Sequence, residues 1–274
     1  MVEHSEAGRA QHAGQASALN RLETRGWEVL PVDPAVLRWV AAAHRAALAV
    51  VADPAMRDRW LRHGATWFVG VDALPNDPDG SIGAVPLAGD WRGAVGWQGH
   101  WHRAQLSVVY PGYPGRDPGE SGAAQAFRRD RDAAHLDGLL AEGPAKRRYL
   151  REPHGFIVGL PLNPVGPGAS PLVVWEGSVA IIRAAMARAF AGIAAQDWAD
   201  CDVTDVYQAA RREVFERCER RVVDAQPGQV VLVHRMAIHG VAPWQSGAVA
   251  PPEGRMVAYF RPILDDPAAW MLPG

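Results

Sequence analysis

The segment QPGQVVLVHRMAIHGVAPW, residues 226–244, gives the clearest indication of how this chain folds. Its Pro-Gly turn is followed by the apolar run VVLV, residues 230–233, which is typical of a strand. A second short apolar stretch contains His239 and ends at Pro243. Two short strands so close together indicate a mainly β fold, because proline and glycine divide regular structure into short pieces.

The composition agrees with an architecture of short strands and long loops. The 274 residues include 11 tryptophans and 22 prolines, a balance that favours such a fold over a helical bundle. The further segments that predict strands are TWFVGVDAL (66–74), AQLSVVYPGYPG (104–115), HGFIVGLPLNP (154–164), SPLVVWEGS (170–178) and RMVAYFRP (255–262).

Two helical insertions are predicted to flank these strands, at about residues 33–63 and 177–225. At the start of the first insertion, Asp33 is expected to be the N-cap and Pro34 to occupy the first helical position, where a missing N–H costs nothing. Apolar residues then recur at the spacing of one helix face.

The remaining segments set the domain organisation. Residues 115–134 are polar and are predicted to form a loop, and the alanine-rich residues 1–15 are predicted to form a flexible tail. No linker of distinct composition divides the chain between them and its end. Residues 16–274 are therefore predicted to form a single domain.

Charge and cysteine content narrow the function classes. The formal net charge of −2 provides no basic field for nucleic acid or anionic lipid, so neither partner is expected. The longest apolar run, Val40–Ala52, is interrupted by His44 and Arg45 and is too short for a membrane span. Two cysteines, Cys201 and Cys218, indicate neither a disulfide framework nor a zinc cluster, and a cytoplasmic protein is expected.

The tripeptide His135-Leu136-Asp137 raises the possibility of a metal site. Alternation along an extended backbone places His135 and Asp137 on one face. Such a pair is a weak signal by itself, but His239 supplies a third candidate ligand. Two histidines and one carboxylate on one face of a metal, with three positions left open, are the ligand set of non-haem Fe(II) oxygenases.

The later part of the chain resembles the phytanoyl-CoA dioxygenase family, a branch of the Fe(II)- and 2-oxoglutarate-dependent oxygenases. The resemblance rests on His239-Gly240 after an apolar strand, on Pro243 shortly afterwards, and on Arg255 at the opening of the next strand. The strands FIVGLPLN and SPLVVWEGS also resemble the family's strand pair that ends in a Gly-Ser turn. The similarity covers about residues 105–262.

This resemblance implies a double-stranded β-helix, that is, a jelly-roll or cupin-like barrel that is mainly β with flanking helices. It also implies that His135, Asp137 and His239 bind Fe(II) and carry catalysis. The expected reaction is hydroxylation of an unactivated C–H bond of a small-molecule substrate by O2, with 2-oxoglutarate converted to succinate and CO2. A carboxylate at residue 137 favours hydroxylation or desaturation over halogenation, because related halogenases have a small residue there.

The resemblance further implies residues that bind the cofactor 2-oxoglutarate. Arg255 is expected to hold its distal carboxylate, since a guanidinium forms a bidentate and permanently charged pair with a carboxylate. The gap between His239 and Arg255 is longer than usual, so Arg261 is the alternative. Gln105 and His154 are the other expected cofactor contacts.

Other readings of the sequence remain open. His100 and His102 have the spacing of a rival ligand pair, as in a non-oxidative metalloenzyme of the cupin type, although no glutamate follows a few residues later. A non-catalytic barrel that binds a small ligand is a further alternative. Ser121 and Ser178 lack the glycine-flanked turn of a serine hydrolase, so that class has little support.

Overall fold

The structure, a computed structural model, describes residues 20–273, and the predicted tail lies outside them. Its strands are β1 (Trp27–Leu30), β2 (Leu61–Arg62), β3 (Trp67–Phe68), β4 (Gln105–Val109), β5 (Leu139–Glu142), β6 (Arg147–Leu150), β7 (Phe156–Pro161), β8 (Leu172–Glu176), β9 (Glu219–Val223), β10 (Val230–His234), β11 (His239–Val241) and β12 (Arg255–Phe260). Its α-helices after β1 are α1 (Pro34–Ala52), α2 (Pro54–Trp60), α3 (Trp91–Val95), α4 (Gly122–Asp130), α5 (Ser178–Ala189) and α6 (Thr204–Arg217).

A large antiparallel sheet forms the centre of the molecule, in the order β1-β10-β7-β12-β4-β3-β2. Strict alternation divides the side chains of its central strands between two faces. In β12, Met256, Ala258 and Phe260 pack in the same apolar cluster as helix α1, whereas Tyr259 packs on the opposite side. Each large apolar side chain that is fully buried in this way contributes roughly 1.5–3 kcal/mol.

Helix α1 covers the first of these faces and begins where the sequence predicts. The Asp33 side chain accepts a hydrogen bond from the Ala35 N–H at 2.7 Å, and Pro34 occupies the first turn. The buried residues of α1 include Val36, Trp39, Val40, Ala43 and Ala47. By length and composition α1 could also cross a membrane; its packing against the large sheet accounts for this apolar composition.

A small antiparallel sheet, in the order β11-β8-β9, faces the other side of the large sheet. Ile157 and Val233 of the large sheet share an apolar cluster with Leu172 and Val174 of the small sheet. A separate hairpin pairs β5 with β6. The space between the two facing sheets is therefore lined by both, and it contains the residues on which function is expected to depend.

The predicted fold class is confirmed, since the chain is mainly antiparallel β-structure with flanking helices in the double-stranded β-helix arrangement. Within residues 20–273 the strands belong to separate facing sheets, and no ladder joins these sheets into a closed barrel.

Three elements differ from the sequence-based expectation. The segment predicted to be helical at 177–225 ends in strand β9, where the β-branched Val222 and Val223 pair with β8. The segment predicted to be a loop at 115–134 contains helix α4, whose N-cap Ser121 accepts a hydrogen bond from the Ala124 N–H. The hairpin of β5 and β6 was not predicted, because its strands are only four residues long and β6 begins with two charged residues, Arg147 and Arg148.

His234 ends strand β10 and is almost fully buried. Its Nδ1 accepts a hydrogen bond from the Met236 N–H at 2.9 Å, and its Nε2 lies 3.1 Å from the Glu23 carboxylate. Burial lowers the pKa of His234 below 6.5, and the attraction of Glu23 only partly offsets that effect. The folded protein therefore holds this imidazole in its neutral form.

This environment predicts acid sensitivity. Below about pH 6.5 the unfolded chain binds a proton on this histidine that the folded chain does not bind, so protonation favours unfolding, by roughly 1.4 kcal/mol per unit of pKa difference. We expect His234→Gln to lose less thermal stability than the wild type between pH 7.5 and pH 5.5, as measured by circular dichroism. The partly buried His44 provides a control, His44→Gln, and equal losses in all three proteins would contradict the prediction.

Candidate metal centre

Two histidines that lie far apart in the sequence are neighbours on paired backbones. The His135 N–H donates to the His239 carbonyl at 2.9 Å, and the His239 N–H donates to the His135 carbonyl at 3.1 Å. This reciprocal pair is one step of an antiparallel ladder, so both side chains project from the same face. Their ring centres are 4.7 Å apart.

The chain before His135 is held in an unusual conformation. Asp132 and Ala133 both adopt left-handed backbone conformations, with φ of 52° and 55°. The Asp132 carbonyl accepts the Val241 N–H at 2.8 Å, and its buried carboxylate accepts two hydrogen bonds of 2.7 Å from the Arg220 guanidinium on β9. Such conformations persist only when surrounding contacts fix them, and these contacts aim His135 at His239.

The tautomers of both histidines follow from their backbone contacts. His135 Nδ1 lies 3.0 Å from the Ala133 carbonyl, and His239 Nδ1 lies 3.0 Å from the Ala237 carbonyl. A carbonyl only accepts, so each Nδ1 carries a hydrogen and each neutral ring presents the lone pair of Nε2. A hydrogen bond of this kind to a backbone carbonyl is one of the contacts that orient metal-binding histidines.

Asp137 completes the group. Its Oδ1 lies 3.0 Å from His135 Nε2, and its Oδ2 lies 3.7 Å from His239 Nε2. One ligand atom from each of the three side chains lies within 4.8 Å of the others, so the group could hold a metal ion. Among the described residues, no other set of His, Cys, Asp and Glu side chains converges in this way.

The charges of this group depend on one another. Enclosure opposes protonation of His135, but the hydrogen bond and negative charge of Asp137 outweigh it and raise the pKa of His135. Enclosure likewise opposes ionisation of Asp137, yet Arg261 and the two imidazoles hold its pKa well below the ordinary value. Without a proton, the Nε2 lone pair of His135 would face the Asp137 carboxylate, and the two would repel each other. A proton on Nε2 removes this repulsion, and a metal cation in the same place would do so more strongly.

Gly138 allows the chain to turn directly after Asp137. Its φ of 85° is a conformation that L side chains rarely adopt, and a Cβ there would lie 2.1 Å from the Glu152 carbonyl oxygen. The Gly138 carbonyl also accepts the Arg151 N–H at 3.0 Å. The position of the Asp137 carboxylate therefore depends on a residue without a side chain.

The triad of His135, Asp137 and His239 opens into a cavity of about 80 Å³ between the two sheets, the metal cavity. Apolar side chains supply much of its wall, including Ile157, Leu172 and Val233. His135 is the most exposed ligand, with 43% of its side chain accessible, whereas Asp137 and His239 are 9% accessible. Most of the ligand set is thus shielded from water.

Arg255 lies in a neighbouring cavity of about 90 Å³, and Tyr259 and Leu172 line both spaces. Arg255 is 9% exposed, and its Nη1 is buried without a hydrogen-bond partner among the described residues. A buried cation without an anion is costly. The structure thus places the expected carboxylate-binding arginine in the interior with unused hydrogen-bonding capacity.

Arg261, the alternative to Arg255, is directly beside the triad. Its Nη1 donates to Asp137 Oδ2 at 3.3 Å, and its Nη2 donates to the Gln105 side-chain oxygen. Gln105 in turn donates to the Val69 carbonyl at 2.9 Å. Gln105 therefore lines the metal cavity, as expected of a cofactor contact, but in this structure its side-chain oxygen binds Arg261.

His154 lies elsewhere. It is buried, its Nε2 is 3.2 Å from the Glu152 carboxylate, and it lines an open groove outside the metal cavity. The expectation that His154 contacts 2-oxoglutarate thus has no support from its position. The rival histidines His100 and His102 line the same groove and do not converge with a third ligand within the described residues.

The cavity residues that the sequence did not indicate include Trp67 and Tyr259. Trp67 lines the metal cavity, and its indole N–H donates to the Ser107 hydroxyl at 2.9 Å. Tyr259 lines both cavities, and alternation from Arg255 along β12 could have identified it. No local pattern marks Trp67, because its position depends on the pairing of β3 with β4.

No protein-family model and no curated protein sequence matches the chain. Among solved structures, the non-heme alpha-ketoglutarate-dependent carbocyclase SnoK from nogalamycin biosynthesis is similar at 14% identity over 89% of this chain and 82% of SnoK, with a TM-score of 0.48. EctD from S. alaskensis, solved with bound Fe, is similar at 16% identity over 90% of this chain and 75% of EctD, with a TM-score of 0.46. AviO1 from Streptomyces viridochromogenes Tue57 has 14% identity over 92% of this chain and 96% of AviO1, with a TM-score of 0.44. Membership of the phytanoyl-CoA dioxygenase family stays a prediction.

The role of Gly138 can be tested with a matched pair of glycines. We expect Gly138→Ala to weaken binding of a divalent metal such as Co(II) by about 10- to 100-fold, the range seen when groups that orient metal ligands are changed. Gly143 also has a positive φ, 64°, but a Cβ there would meet nothing within 4 Å. Gly143→Ala therefore controls for backbone strain alone, and equal Co(II) affinities of the two variants in calorimetric titrations would refute this role.

Proposed function

We propose that this protein is an Fe(II)- and 2-oxoglutarate-dependent dioxygenase that hydroxylates an unactivated C–H bond of a small-molecule substrate. The observation that carries the proposal is the convergence of His135 Nε2, His239 Nε2 and one Asp137 oxygen within 4.8 Å. Two of these candidate ligands lie in the tripeptide 135–137, and the third, His239, begins strand β11. An enzyme of this class requires all three.

The donor set fits a ferrous ion. Two neutral imidazole nitrogens and one carboxylate oxygen suit Fe(II), and three protein ligands leave positions for a bidentate co-substrate and O2. Both imidazoles are fixed by backbone carbonyls before any metal binds. Asp137 is negatively charged and accepts a hydrogen bond from Arg261. Its charge would balance part of the charge of the ion.

The neighbouring cavity fits 2-oxoglutarate. Arg255 has a buried guanidinium nitrogen without a partner, and the distal carboxylate of 2-oxoglutarate would supply the missing anion. Alternation through β12 and the residue that follows it places Arg255, Tyr259 and Arg261 on one face. A cation therefore lies at each end of this face, Arg255 in one cavity and Arg261 in the other. Arg255 is the better candidate because Arg261 already binds Asp137 and Gln105.

The protein residues then have distinct tasks. When bound, Fe(II) and 2-oxoglutarate supply the oxidising chemistry, in which O2 is consumed, succinate and CO2 are released, and one oxygen atom enters the substrate. His135, Asp137 and His239 would hold the ion, and Arg255 would orient the co-substrate. Apolar walls such as Ile157 and Val233 exclude water, which would otherwise compete at the open positions.

The cofactor assignment can be tested without a known substrate. In the absence of oxygen, we expect Fe(II) and 2-oxoglutarate together to give the visible charge-transfer band of iron-bound 2-oxoglutarate. The band should disappear in His239→Ala, which removes a ligand, and should persist in His44→Ala, because His44 lies on helix α1 away from the triad. No band in the wild type, or an undiminished band in His239→Ala, would refute the proposal.

The two arginines can be separated by titrating the same band with 2-oxoglutarate. We expect Arg255→Gln to weaken 2-oxoglutarate binding about 30-fold or more, since truncating one partner of a buried charge pair costs roughly 2–5 kcal/mol. Fe(II) affinity should not change, because Arg255 does not line the metal cavity. Arg188 is exposed, and Arg188→Gln is the control. A larger loss in Arg261→Gln than in Arg255→Gln would assign the role to Arg261 instead.

A further inference from the structure

An open groove with a volume of about 570 Å³ lies beside the metal cavity. Cavities that bind small molecules usually span roughly 300–1,000 Å³. The metal cavity, at about 80 Å³, falls well below that range and would be needed for the co-substrate. The groove is therefore the space near the triad in which a substrate would fit.

The groove and the metal cavity meet at Arg261. Within the described residues, Arg261 is the one residue that lines both. The connection also runs through the backbone, since Gly138 follows Asp137 and its carbonyl accepts a hydrogen bond from the Arg151 N–H, next to the groove residue Glu152. A molecule in the groove would thus lie against the segment that holds a metal ligand.

The walls of the groove expose apolar side chains to solvent. Val71, Leu140 and Ile263 are 38%, 41% and 50% exposed. Trp97 adds an aromatic ring to the same surface. Exposed apolar side chains that cluster in one concave surface indicate a binding site, because their burial by a ligand is favourable.

The charges around the groove are mainly negative. The guanidinium of Arg261 is engaged by Asp137 and Gln105. His102 Nε2 accepts the Arg261 N–H at 2.7 Å, and its Nδ1 lies 3.2 Å from the Asp72 carboxylate. Glu152 pairs with His154, and two further carboxylates on the rim are exposed to solvent, one of which also contacts His102. These two are Asp72 and Asp265.

We infer that the groove binds the substrate, and that the substrate is an apolar small molecule bearing a protonated amine. The apolar body would contact Val71, Leu140 and Ile263, and the amine would lie near Asp72 and Asp265. As the substrate of an oxygenase this assignment rests on the proposed function. It also excludes acyl-coenzyme A thioesters, since the groove offers their phosphates no unpaired arginine or lysine among its lining residues.

The charge preference can be measured with two probes of equal size. Phenylbutylamine and phenylbutanoate share a ring and a chain and differ in the sign of their charge. We expect calorimetric titration at low salt to show that the amine binds about tenfold more tightly, since each exposed charge contributes roughly a two- to fivefold factor to each probe. Added salt should reduce the difference, and phenylbutanoyl-coenzyme A should fail to displace the amine.

Matched variants locate the effect. The double variant Asp72→Asn/Asp265→Asn should lose most of the preference, whereas Asp58→Asn/Asp197→Asn, with the same net charge, should keep it because these exposed residues lie outside the groove. Ile263→Ser should weaken binding of both probes, and Val249→Ser, which removes the most exposed apolar side chain, should weaken neither.

Any of four results would overturn the inference. These are equal affinities of the two probes, a preference for the carboxylate, a preference for the amine that survives Asp72→Asn/Asp265→Asn, and no binding of either probe. The titrations are made with metal-free protein and again with Co(II) and 2-oxoglutarate bound. Amine binding without a charge-transfer band would support the groove and refute the oxygenase. A normal band without amine binding would refute the groove assignment alone.

Discussion

The site depends on one pair of backbone hydrogen bonds, those exchanged by His135 and His239. A metal site assembled from distant parts of a chain must fix both the spacing and the direction of its ligands. Reciprocal hydrogen bonds do both, because they set the two α-carbons opposite each other and send both side chains to one face. The remaining contacts serve this pair. Arg220 holds the Asp132 segment that leads to His135, and β8 pairs with the strand that begins at His239.

Contacts among polar side chains explain how the interior accommodates so many of them. The metal cavity contains two imidazoles, a carboxylate, an amide and a guanidinium, and most of these groups contact one another. Arg255 differs, since one of its nitrogens has no partner. Buried polar groups in a folded protein are normally satisfied, so this unpaired guanidinium nitrogen in the cavity next to the triad is an exception to that rule.

Much of this arrangement could be predicted from sequence, because it depends on local patterns. Apolar runs bounded by proline and glycine located most of the central strands, and the N-cap Asp33 located helix α1. The three candidate ligands followed from residue type and from resemblance to a family, and the structure places their side chains close together. Hairpin β5–β6 and helix α4 were missed because each strand has only four residues and the helix only nine, too few for a periodic pattern to identify them.

The choice between Arg255 and Arg261 could not be made from sequence, for a physical reason. Alternation places both on the same face of one extended segment, so periodicity treats them alike. What separates them is their distance along β12 from the level of the triad, and that depends on how β12 pairs with β4 and β7. Strand register depends on the whole sheet, so the residues next to either arginine in the sequence do not reveal it.

The donor set of the triad has a consequence for how such a protein acquires its metal. Nitrogen and oxygen ligands of this kind follow the Irving–Williams series, in which nickel, copper and zinc bind more tightly than ferrous iron. Three protein ligands leave the rest of the coordination sphere open, so each of those ions could complete its preferred geometry around the two imidazoles. Occupancy by iron would then be decided by the supply of metals in the cell and not by the affinity of the three side chains.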